Sequence, residues 1–360
     1  MQTLFNLWQH LQGRLFPLLT EEIGPLGEKD REFVRVIGLL PLDRFIKEYE
    51  WCGKGRPPSE RVWLFHAFIA KKVYQFANTE VLWEAIQANA KLRQLCGWEA
   101  TDLVPSYTTF TRAFAQFAQT ELAQRIHEAL IQKHCGGKLV GHVSRDSTAI
   151  GVPESPAPKA PKVVGPKGKA GRLKQGQVRA PKTRLERQEL RTLAENLHDL
   201  PRGCDFGCKT DSQGFKTWWR GYKLHLDVID GDIPVSAVLT SASLHDSQVA
   251  IPLTQMTSGR VTSLYDLMDG AYDSKIIADF SRKAGHVPII EPKKQAGYVP
   301  LDPAQRRRFA ERTACERVNS RLKEQFGGRT VRVHGATKVM ADLMLGVLVL
   351  AALGIWRRLC

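Results

Sequence analysis

Three acidic residues, Asp146, Asp269 and Glu316, are the side chains in this sequence best suited to metal-dependent chemistry. Asp146 falls within a predicted strand, an awkward place for an unpaired carboxylate without a purpose, and Asp269 ends another predicted strand beside a glycine. Open α/β sheets commonly bind ligands at such strand ends. Hard divalent cations prefer carboxylate oxygens, and a pair of these cations can serve phosphodiester transfer. Because a single carboxylate is usually only a surface group, the hypothesis depends on all three residues together.

Asp266 competes with Asp269 for a place in this site. The two residues are three apart on one predicted strand, so their side chains point to opposite faces and only one can join a given cluster. Asp266 lies between Tyr265 and Leu267, whereas Asp269 borders a glycine at the strand end. We therefore select Asp269.

The third acidic residue shares one face of a predicted helix with two cations. The residues on this face are Phe309, Arg312, Glu316 and Lys323. They project within about 60° of each other at 3.6 residues per turn, while apolar residues form a separate stripe. On an ordinary surface helix, Arg312 and Glu316 would only form an i,i+4 ion pair. The functional alternative is a metal-binding carboxylate between two cations that can hold phosphate oxygens.

The elements that must position these residues form three regions. Residues 1–135 are predicted to be helical nearly throughout, and 104–112 opens a helix that fits either a DNA-reading helix-turn-helix or a plain helical bundle. Residues 136–335 alternate predicted strands and helices, which indicates a mixed α/β sheet with helical cover. Residues 336–360 contain an apolar run of 14 residues, too short to span a membrane, so a buried C-terminal helix is predicted.

Within the α/β region, hydrophobic periodicity and turn residues set the expected element bounds. Strands are predicted at 139–150, 221–229, 234–241, 261–269 and 286–290, and helices at 247–256, 274–284 and 303–326. The predicted order is strand, insertion, strand, strand, helix, strand, helix, strand, helix.

Positive charge is the main feature of the composition. The chain has 52 Lys and Arg against 37 Asp and Glu, a net charge of +15 that favours a polyanionic partner such as DNA or RNA over an acidic protein or membrane surface. Residues 151–187 alone hold ten Lys and Arg, two Glu and six prolines. We predict a flexible basic insertion at about 151–200, which either grips nucleic acid or is a solvated linker.

Other classes of protein are excluded or disfavoured by the same composition. With 43% hydrophobic and 25% charged residues the chain is neither wholly disordered nor collagen-like. The start of the chain lacks a signal-peptide layout and the seven cysteines are scattered, so a reduced, cytoplasmic protein is expected. Cys204 and Cys208, with His198, supply no complete zinc-ligand set. Trp218 and Trp219 can stack on exposed bases or pack in the core.

Five motifs resemble those of bacterial insertion-sequence transposases of the DDE type, and they occur in that family's order. The spacing Arg312-x3-Glu316-x6-Lys323 is similar to the Y-x2-R-x3-E-x6-K signature, with Phe309 in place of the tyrosine. The other four motifs are 146–148 (DST), 221–225 (GYKLH), 240–246 (TSASLHD) and 268–274 (MDGAYDS). The resemblance covers residues 138–330 well and the helical region at about 30–130 more loosely.

The resemblance implies an RNase H-like catalytic domain at 136–335 that cuts transposon ends and joins them to target DNA. It implies that Asp146, Asp269 and Glu316 hold two Mg²⁺ ions, with Mn²⁺ as a possible substitute, and that Arg312 and Lys323 position phosphates. The residues expected to support DNA or phosphate binding are Tyr222, Lys223, His225, His245 and Arg112. For the two histidines a structural role is the stronger alternative. Phe309 lacks the hydrogen bond that a tyrosine hydroxyl would make.

The implied partner is double-stranded DNA, at both the inverted-repeat ends and the target, and synapsis of two ends implies a homodimer. A bacterial cytoplasmic, nucleoid-associated protein without a membrane partner is expected. Two alternatives stay open: a DNA-binding regulator that does not cut, and a metal-dependent nuclease without strand transfer. Retention of all three carboxylates disfavours the regulator, and joined products would distinguish a transposase from the nuclease.

Overall fold

The computed structural model describes residues 11–49, 59–99, 103–156, 158, 183–210, 213–293 and 299–359. The described part of the chain starts with helices, enters a six-stranded sheet at residue 139 and finishes with a long apolar helix. This arrangement confirms the predicted class, an RNase H-like mixed α/β sheet with flanking helices behind an all-helical N-terminal region.

The N-terminal region is a bundle of helices. They are α1 (Phe16–Ile23), α2 (Glu28–Leu39), α3 (Asp43–Ile46), α4 (Arg61–Val73), α5 (Thr79–Ala88), α6 (Ala90–Cys96), α7 (Tyr107–Gln119) and α8 (Leu122–Cys135). Asn78 and Asn89 cap α5 and α6, each accepting a backbone N–H of the first turn with its side-chain oxygen. Aromatic rings fill the space between α4 and α7, where Phe68 contacts Phe110, Phe114 and Phe117.

The sheet mixes parallel and antiparallel strands. The strands are β1 (Leu139–Gly151), β2 (Asp205–Thr210), β3 (Lys216–Ile229), β4 (Ile233–Ser241), β5 (Thr262–Met268) and β6 (Val287–Ile290). Their order is β2-β3-β1-β5-β6, and β4 pairs with the later part of β3. Because β1 lies antiparallel to β3 and parallel to β5, it is the inner strand between the hairpin half and the parallel half of the sheet.

Helices cover both faces of the sheet. Those that follow β1 in the chain are α9 (Arg184–Gln188), α10 (Leu193–His198), α11 (Ala250–Ser258), α12 (Lys275–Lys283), α13 (Pro303–Phe309), α14 (Thr313–Gln325) and α15 (Ala336–Arg357). Arg145 of β1 contacts Thr254 of α11, whereas its neighbour Asp146 contacts Asn319 of α14. Since successive side chains of a strand point to opposite faces, α11 and α14 lie on opposite faces.

Three expectations about secondary structure need correction. The helix predicted at 303–326 is interrupted by a 3-10 turn at Ala310–Arg312, between α13 and α14. Strand β2 and the helices α9 and α10 were not predicted, because the charged composition around them resembles that of a loop. Thr183 and Thr192 begin these two helices with capping boxes, so residues 183–198 of the predicted flexible insertion are helical. The middle of the insertion, 159–182, lies outside the described residues.

The C-terminal helix α15 is buried, as predicted. It is long and apolar enough to cross a membrane by length and composition alone, but 89% of its most apolar window is buried inside the protein. It packs against α8, α7, α4 and α2 of the helical region and against β4 of the sheet. The helical region and the sheet therefore share one hydrophobic core through α15.

A buried ion cluster fixes α15 to the helical region. The carboxylate of Asp342 on α15 accepts from the ammonium groups of Lys71, at 2.9 Å, and Lys72, at 2.7 Å, both on α4. Lys72 also donates to the backbone carbonyl of Phe326, directly after α14. All three charged side chains are more than nine-tenths buried. The cluster joins three elements that are remote in sequence.

Candidate active site

Two of the three predicted acidic residues are neighbours on adjacent strands. Arg145 of β1 and Met268 of β5 are register partners in a parallel pair. Asp146 directly follows Arg145, and Asp269 directly follows Met268. Adjacent strands lie about 4.8 Å apart, so the two carboxylates start from neighbouring backbone positions. Both residues are half-buried. The parallel pairing of β1 with β5 is thus what brings these acids together across a long separation in sequence.

The electrostatic environment of the two aspartates disfavours two negative charges. Burial raises the pKa of Asp146 to about 6, against the lowering effect of the Arg312 guanidinium, and the neighbouring carboxylates of Asp269 and Asp246 raise it further. Burial also raises the pKa of Asp269, against the backbone N–H of Ala271, which donates to its Oδ1 at 2.9 Å, and against Arg312. A cation between the two aspartates would relieve this repulsion.

Arg312 is the charged group that connects the aspartates to the third predicted acid. Its guanidinium lies 2.5 Å from the Oε1 atom of Glu316 and over the ring of Phe309, 5.7 Å from the ring centroid. Phe309 therefore retains ring packing without the hydroxyl of the signature tyrosine. The Glu316 side chain is 52% exposed. The bond between Arg312 and Glu316 is the i,i+4 ion pair expected of an ordinary surface helix.

Glu316 does not close a three-carboxylate cluster in this structure. Among the described residues, no group of three or more His, Cys, Asp or Glu side chains is arranged to hold a metal ion. The oxygen donors that fit a hard cation are the carboxylates of Asp146 and Asp269, which are adjacent and half-buried, and the charge of Asp269 raises the pKa of Asp146. Glu316 approaches them through Arg312, whose charge acts on both aspartates and whose guanidinium binds Glu316.

One polar contact to Asp146 was not foreseen. The side-chain amide of Asn319, on α14, donates to the Oδ2 atom of Asp146 at 3.2 Å. Asn319 is only 6% exposed, and its amide oxygen is buried without a hydrogen-bond partner among the described residues. It follows Glu316 by three positions and precedes Lys323 by four, so helical spacing placed it beside both. That spacing is the signal that could have found it.

Lys323 lies within electrostatic reach of the same carboxylate. Burial lowers the pKa of Lys323, and the positive charges of Lys209 on β2 and Arg329 lower it further, whereas Asp146 raises it. Three residues of the predicted apolar stripe, Ala314, Val318 and Leu322, are buried on α14, whereas the fourth, Ala310, is exposed in the preceding 3-10 turn. The packing of this stripe directs the face that carries Asn319 and Lys323 toward Asp146, in the middle of β1.

Two of the predicted DNA-supporting residues are buried. Tyr222 is buried, and its hydroxyl donates to the Glu154 carboxylate at 3.2 Å. His225 is fully buried, its Nε2 lies 2.9 Å from the Thr240 hydroxyl, and burial lowers its pKa to about 4. Neither side chain can reach phosphate from these positions. The expectation that they contact DNA is therefore corrected, and the structural alternative stated for His225 is the one the geometry fits.

The other three residues lie nearer the surface. Lys223 donates to the Asp246 carboxylate at 2.9 Å and to the backbone carbonyl of Leu244 at 2.8 Å, so its charge is already used within the protein. His245 is exposed, but its Nδ1 lies 2.8 Å from the Ser247 hydroxyl, where it caps a short 3-10 turn. Arg112 is exposed on α7, remote in sequence from the aspartates.

Behind the site, a buried polar network fixes the strands that carry the aspartates. Arg145 donates to both carboxylate oxygens of Asp227 on β3, at 2.8 and 2.7 Å, on the face opposite to Asp146. Asp266 of β5 is buried and accepts from the Ser281 hydroxyl and lies 3.1 Å from His286. Asp266 thus serves the core, whereas Asp269 stands at the strand end. Rigid strands hold the two aspartates close together.

Comparison with models of protein families shows which family the chain belongs to. The model of a transposase DDE domain matches residues 146–352, which is more than half of the sequence and begins at Asp146. The chain belongs to the DDE transposase family. A second model, of a transposase domain (DUF772), matches residues 21–116, from α1 into α7. Searches of curated protein sequences and of solved structures find no match.

The two matched segments correspond to the sheet region and to the N-terminal helical bundle. The transposase DDE domain includes β1, β5 and α14, which carry the acidic residues and Arg312, and it extends into α15. The second transposase domain covers most of the helical bundle, including the predicted DNA-facing start of α7. The family assignment made from motifs is confirmed, and it makes the chain a DNA transposase.

Proposed function

We propose that the protein cuts transposon ends and joins them to target DNA by metal-dependent phosphodiester hydrolysis and strand transfer. The observation that carries this proposal is the pair formed by Asp146 and Asp269, which directly follow the last register pair of the parallel strands β1 and β5, with the charge of Arg312 acting on both. Two Mg²⁺ ions, or Mn²⁺ in their place, would activate the oxygen nucleophile and neutralise charge on the phosphate. The carboxylates of Asp146 and Asp269 are the proposed first ligands.

Glu316 is the proposed third ligand. Support comes from its bond to Arg312, since the guanidinium that binds Glu316 is the one that acts on both aspartates. In this proposal the Glu316 carboxylate exchanges Arg312 for a metal when metal and DNA are present. Arg312 then becomes free to hold a phosphate oxygen through its guanidinium fork, and Lys323 supplies a second, more mobile cation.

Asn319 has a proposed orienting role in the same reaction. Its amide N–H group holds the Oδ2 atom of Asp146, which leaves the Oδ1 atom of that carboxylate to a cation. Burial raises the pKa of Asp146, and the Arg312 guanidinium and the backbone N–H of Ser147 favour its charged form. The same site can carry out cleavage and joining, because water attacks first and the freed 3′-hydroxyl attacks in the second step.

The basic rim of a groove between the two matched domains is the proposed contact surface for duplex DNA. The groove encloses about 620 Å³, and its lining includes Tyr107 and Thr111 of α7 together with Arg329, Arg332 and Lys338. Arg332 and Lys338 are exposed, and the charge of Arg329 reaches Lys323 of the proposed active site. Basic side chains along such a groove suit a phosphate backbone. Arg112, exposed on α7, would add a contact to the same duplex.

The test is a plasmid that carries the element's ends, incubated with the purified full chain and Mg²⁺. We expect cleaved ends and joined products, neither of which forms when EDTA removes the metal. Asp269→Asn should abolish both products, while Asp279→Asn, on the exposed ion pair with Arg282, should leave both unchanged. Cleavage without joining would favour the nuclease alternative, and binding without cleavage would favour the regulator.

The partner and location proposals follow from the same reaction. Synapsis of two ends requires two active sites, so we propose a homodimer in the complex with DNA, to be detected by light scattering with and without a duplex end. The net charge of +15 supports association with the bacterial nucleoid in the cytoplasm. A complex that contains one protein chain and two DNA ends would contradict the dimer.

A further inference from the structure

An exposed aromatic surface lies on the ribbon formed by β2 and the first part of β3, which we call the aromatic ribbon (residues 205–210 and 216–221). Trp218 is 64% exposed and Phe206 is 53% exposed. Large apolar side chains exposed together on a strand pair commonly mark an interaction site. By contrast, the adjacent Trp219 is only half-exposed, and its indole N–H donates to the carbonyl of Tyr222 at 3.1 Å.

The register of the ribbon puts the exposed rings and two cations on one face. The antiparallel partners are Phe206 with Arg220, Cys208 with Trp218, and Thr210 with Lys216. Residues directly opposite each other, and those two apart on one strand, share a face. This face therefore carries two aromatic rings, Lys216 and Arg220 and no acidic side chain. Phe206 and Trp218 are diagonal neighbours, with Cα atoms about 7–8 Å apart by general sheet geometry.

Rings flanked by cations suit a nucleic-acid strand whose bases are unpaired. Base faces stack on aromatic side chains only where the bases are not already stacked within a duplex, while Lys and Arg hold the adjacent phosphates. A duplex presents mainly phosphates and groove edges, which the two rings cannot use. The charge of the ribbon excludes a cationic partner. These features together select a single strand.

The ribbon lies beside the proposed active site. Strand β3 continues from the ribbon into its antiparallel pairing with β1, where Gly221 pairs with Gly151 and Leu226 pairs with Asp146. Lys209, on the other face of the same ribbon, lowers the pKa of Lys323, whereas Asp146 raises it, so both residues lie near Lys323. A DNA strand released at the two aspartates would be within reach of the ribbon.

We infer that the Phe206–Trp218 face of the aromatic ribbon binds two successive unpaired bases of a DNA strand next to the cleavage site. The inference rests on the proposed function only for the origin of the unpaired strand. Binding itself requires neither metal nor cleavage. Trp219 takes no part, since it packs over Gly207, whose lack of a side chain makes room for the indole.

The test measures binding of the full chain to a labelled oligodeoxythymidine of about 12 nucleotides, within the site sizes known for stacking proteins, in EDTA and at fixed salt. Trp218→Leu keeps an apolar side chain and removes the stacking surface. We expect it to weaken binding about 5- to 150-fold, since one stacked base contributes about 1–3 kcal/mol. Trp218→Phe should restore most of the affinity. Leu190→Ala, at another exposed apolar residue on the surface, is the matched control and should not change it.

Two further measurements keep the result specific. Affinity for a duplex of the same length should change less than twofold in Trp218→Leu, and circular dichroism should show an unchanged fold. Asp269→Asn should bind the oligonucleotide as the parent does, so that a failure of cleavage is distinguished from a failure of the ribbon. Equal affinity of the parent and Trp218→Leu for the single strand, or an equal loss for duplex, would overturn the inference.

Discussion

Replacing Asp342 by Asn should strongly destabilise the protein. The Asp342 carboxylate is the shared partner of Lys71 and Lys72, at 2.9 and 2.7 Å, and all three side chains are buried. Asn keeps the volume and one hydrogen-bond acceptor but leaves two buried ammonium groups without a counter-charge. Breaking a buried ion pair in this way costs about 3–5 kcal/mol of unfolding free energy. Because α15 joins the helical region to the sheet, both should unfold at lower denaturant concentration.

The free energy of unfolding should also depend on pH through Lys72. Burial lowers the pKa of Lys72 to about 8, although Asp342 opposes the shift. Lys72 therefore binds its proton less tightly in the folded state than in the unfolded state, and it favours folding increasingly as pH rises from about 8 to 10.5. In Asp342→Asn the pKa of Lys72 should fall below about 8, so the loss of stability should shrink as pH rises toward 8 and stay constant from 8 to 10.5, where Lys72 is neutral in both folded proteins.

Guanidinium unfolding followed by fluorescence and circular dichroism measures the effect. The matched control is the triple variant Lys71→Met, Lys72→Met, Asp342→Leu, which removes all three charges together and should lie within about 1 kcal/mol of the parent or be more stable. A loss below about 1 kcal/mol in Asp342→Asn, or a loss in the triple variant as large as in the single one, would refute the account of this cluster.

Three other predictions concern the site and its supports. Arg312→Gln removes the charge that lowers the pKa of both aspartates, so the acid limb of the cleavage pH profile should move to higher pH. The control Arg317→Gln, at the ion pair with Asp232, should leave this limb in place. An unmoved limb in Arg312→Gln would contradict the prediction. Asn319→Leu should slow cleavage about 10- to 150-fold, because it removes a hydrogen bond to a charged group. Asn319→Ser should recover part of the rate. Full activity in Asn319→Leu would rule out the orienting role. Asp266 raises the pKa of His286, so the pair should stabilise the folded protein below pH 6.5, and this stabilisation should be lost as pH rises through the pKa of His286 in the folded protein. The unfolding free energy of His286→Gln should lack that pH dependence.

Much of the fold could be predicted from the sequence because apolar periodicity is strong where elements are buried. The strands around Asp146 and Asp269 and the buried stripe of α14 are of this kind. Strand β2 was missed because most of its side chains are exposed and Phe206 is its single large apolar residue. Helices α9 and α10 are short and begin with capping boxes, a signal that the surrounding positive charge concealed.

The site was predictable in its positions but not in its contacts. The order of motifs selected Asp146 and Asp269, yet no spacing rule states that Glu316 binds Arg312 or that Asn319 binds Asp146. Tyr222 and His225 belong to a motif of the family, and a motif does not say whether one or both faces of a strand are covered. The two side chains point to opposite faces of β3, and both are buried because β3 is covered on both faces beyond Gly221.

The central claim is that Asp146 and Asp269 hold the divalent cations. Calorimetric titration of the full chain with Mn²⁺ in the presence of a duplex end tests it most directly, with Asp232→Asn, on the Arg317 ion pair, as the control. We predict saturable binding in the parent and in the control, and its loss in Asp146→Asn and in Asp269→Asn. Binding of the same stoichiometry and affinity in either of these two variants would contradict the account.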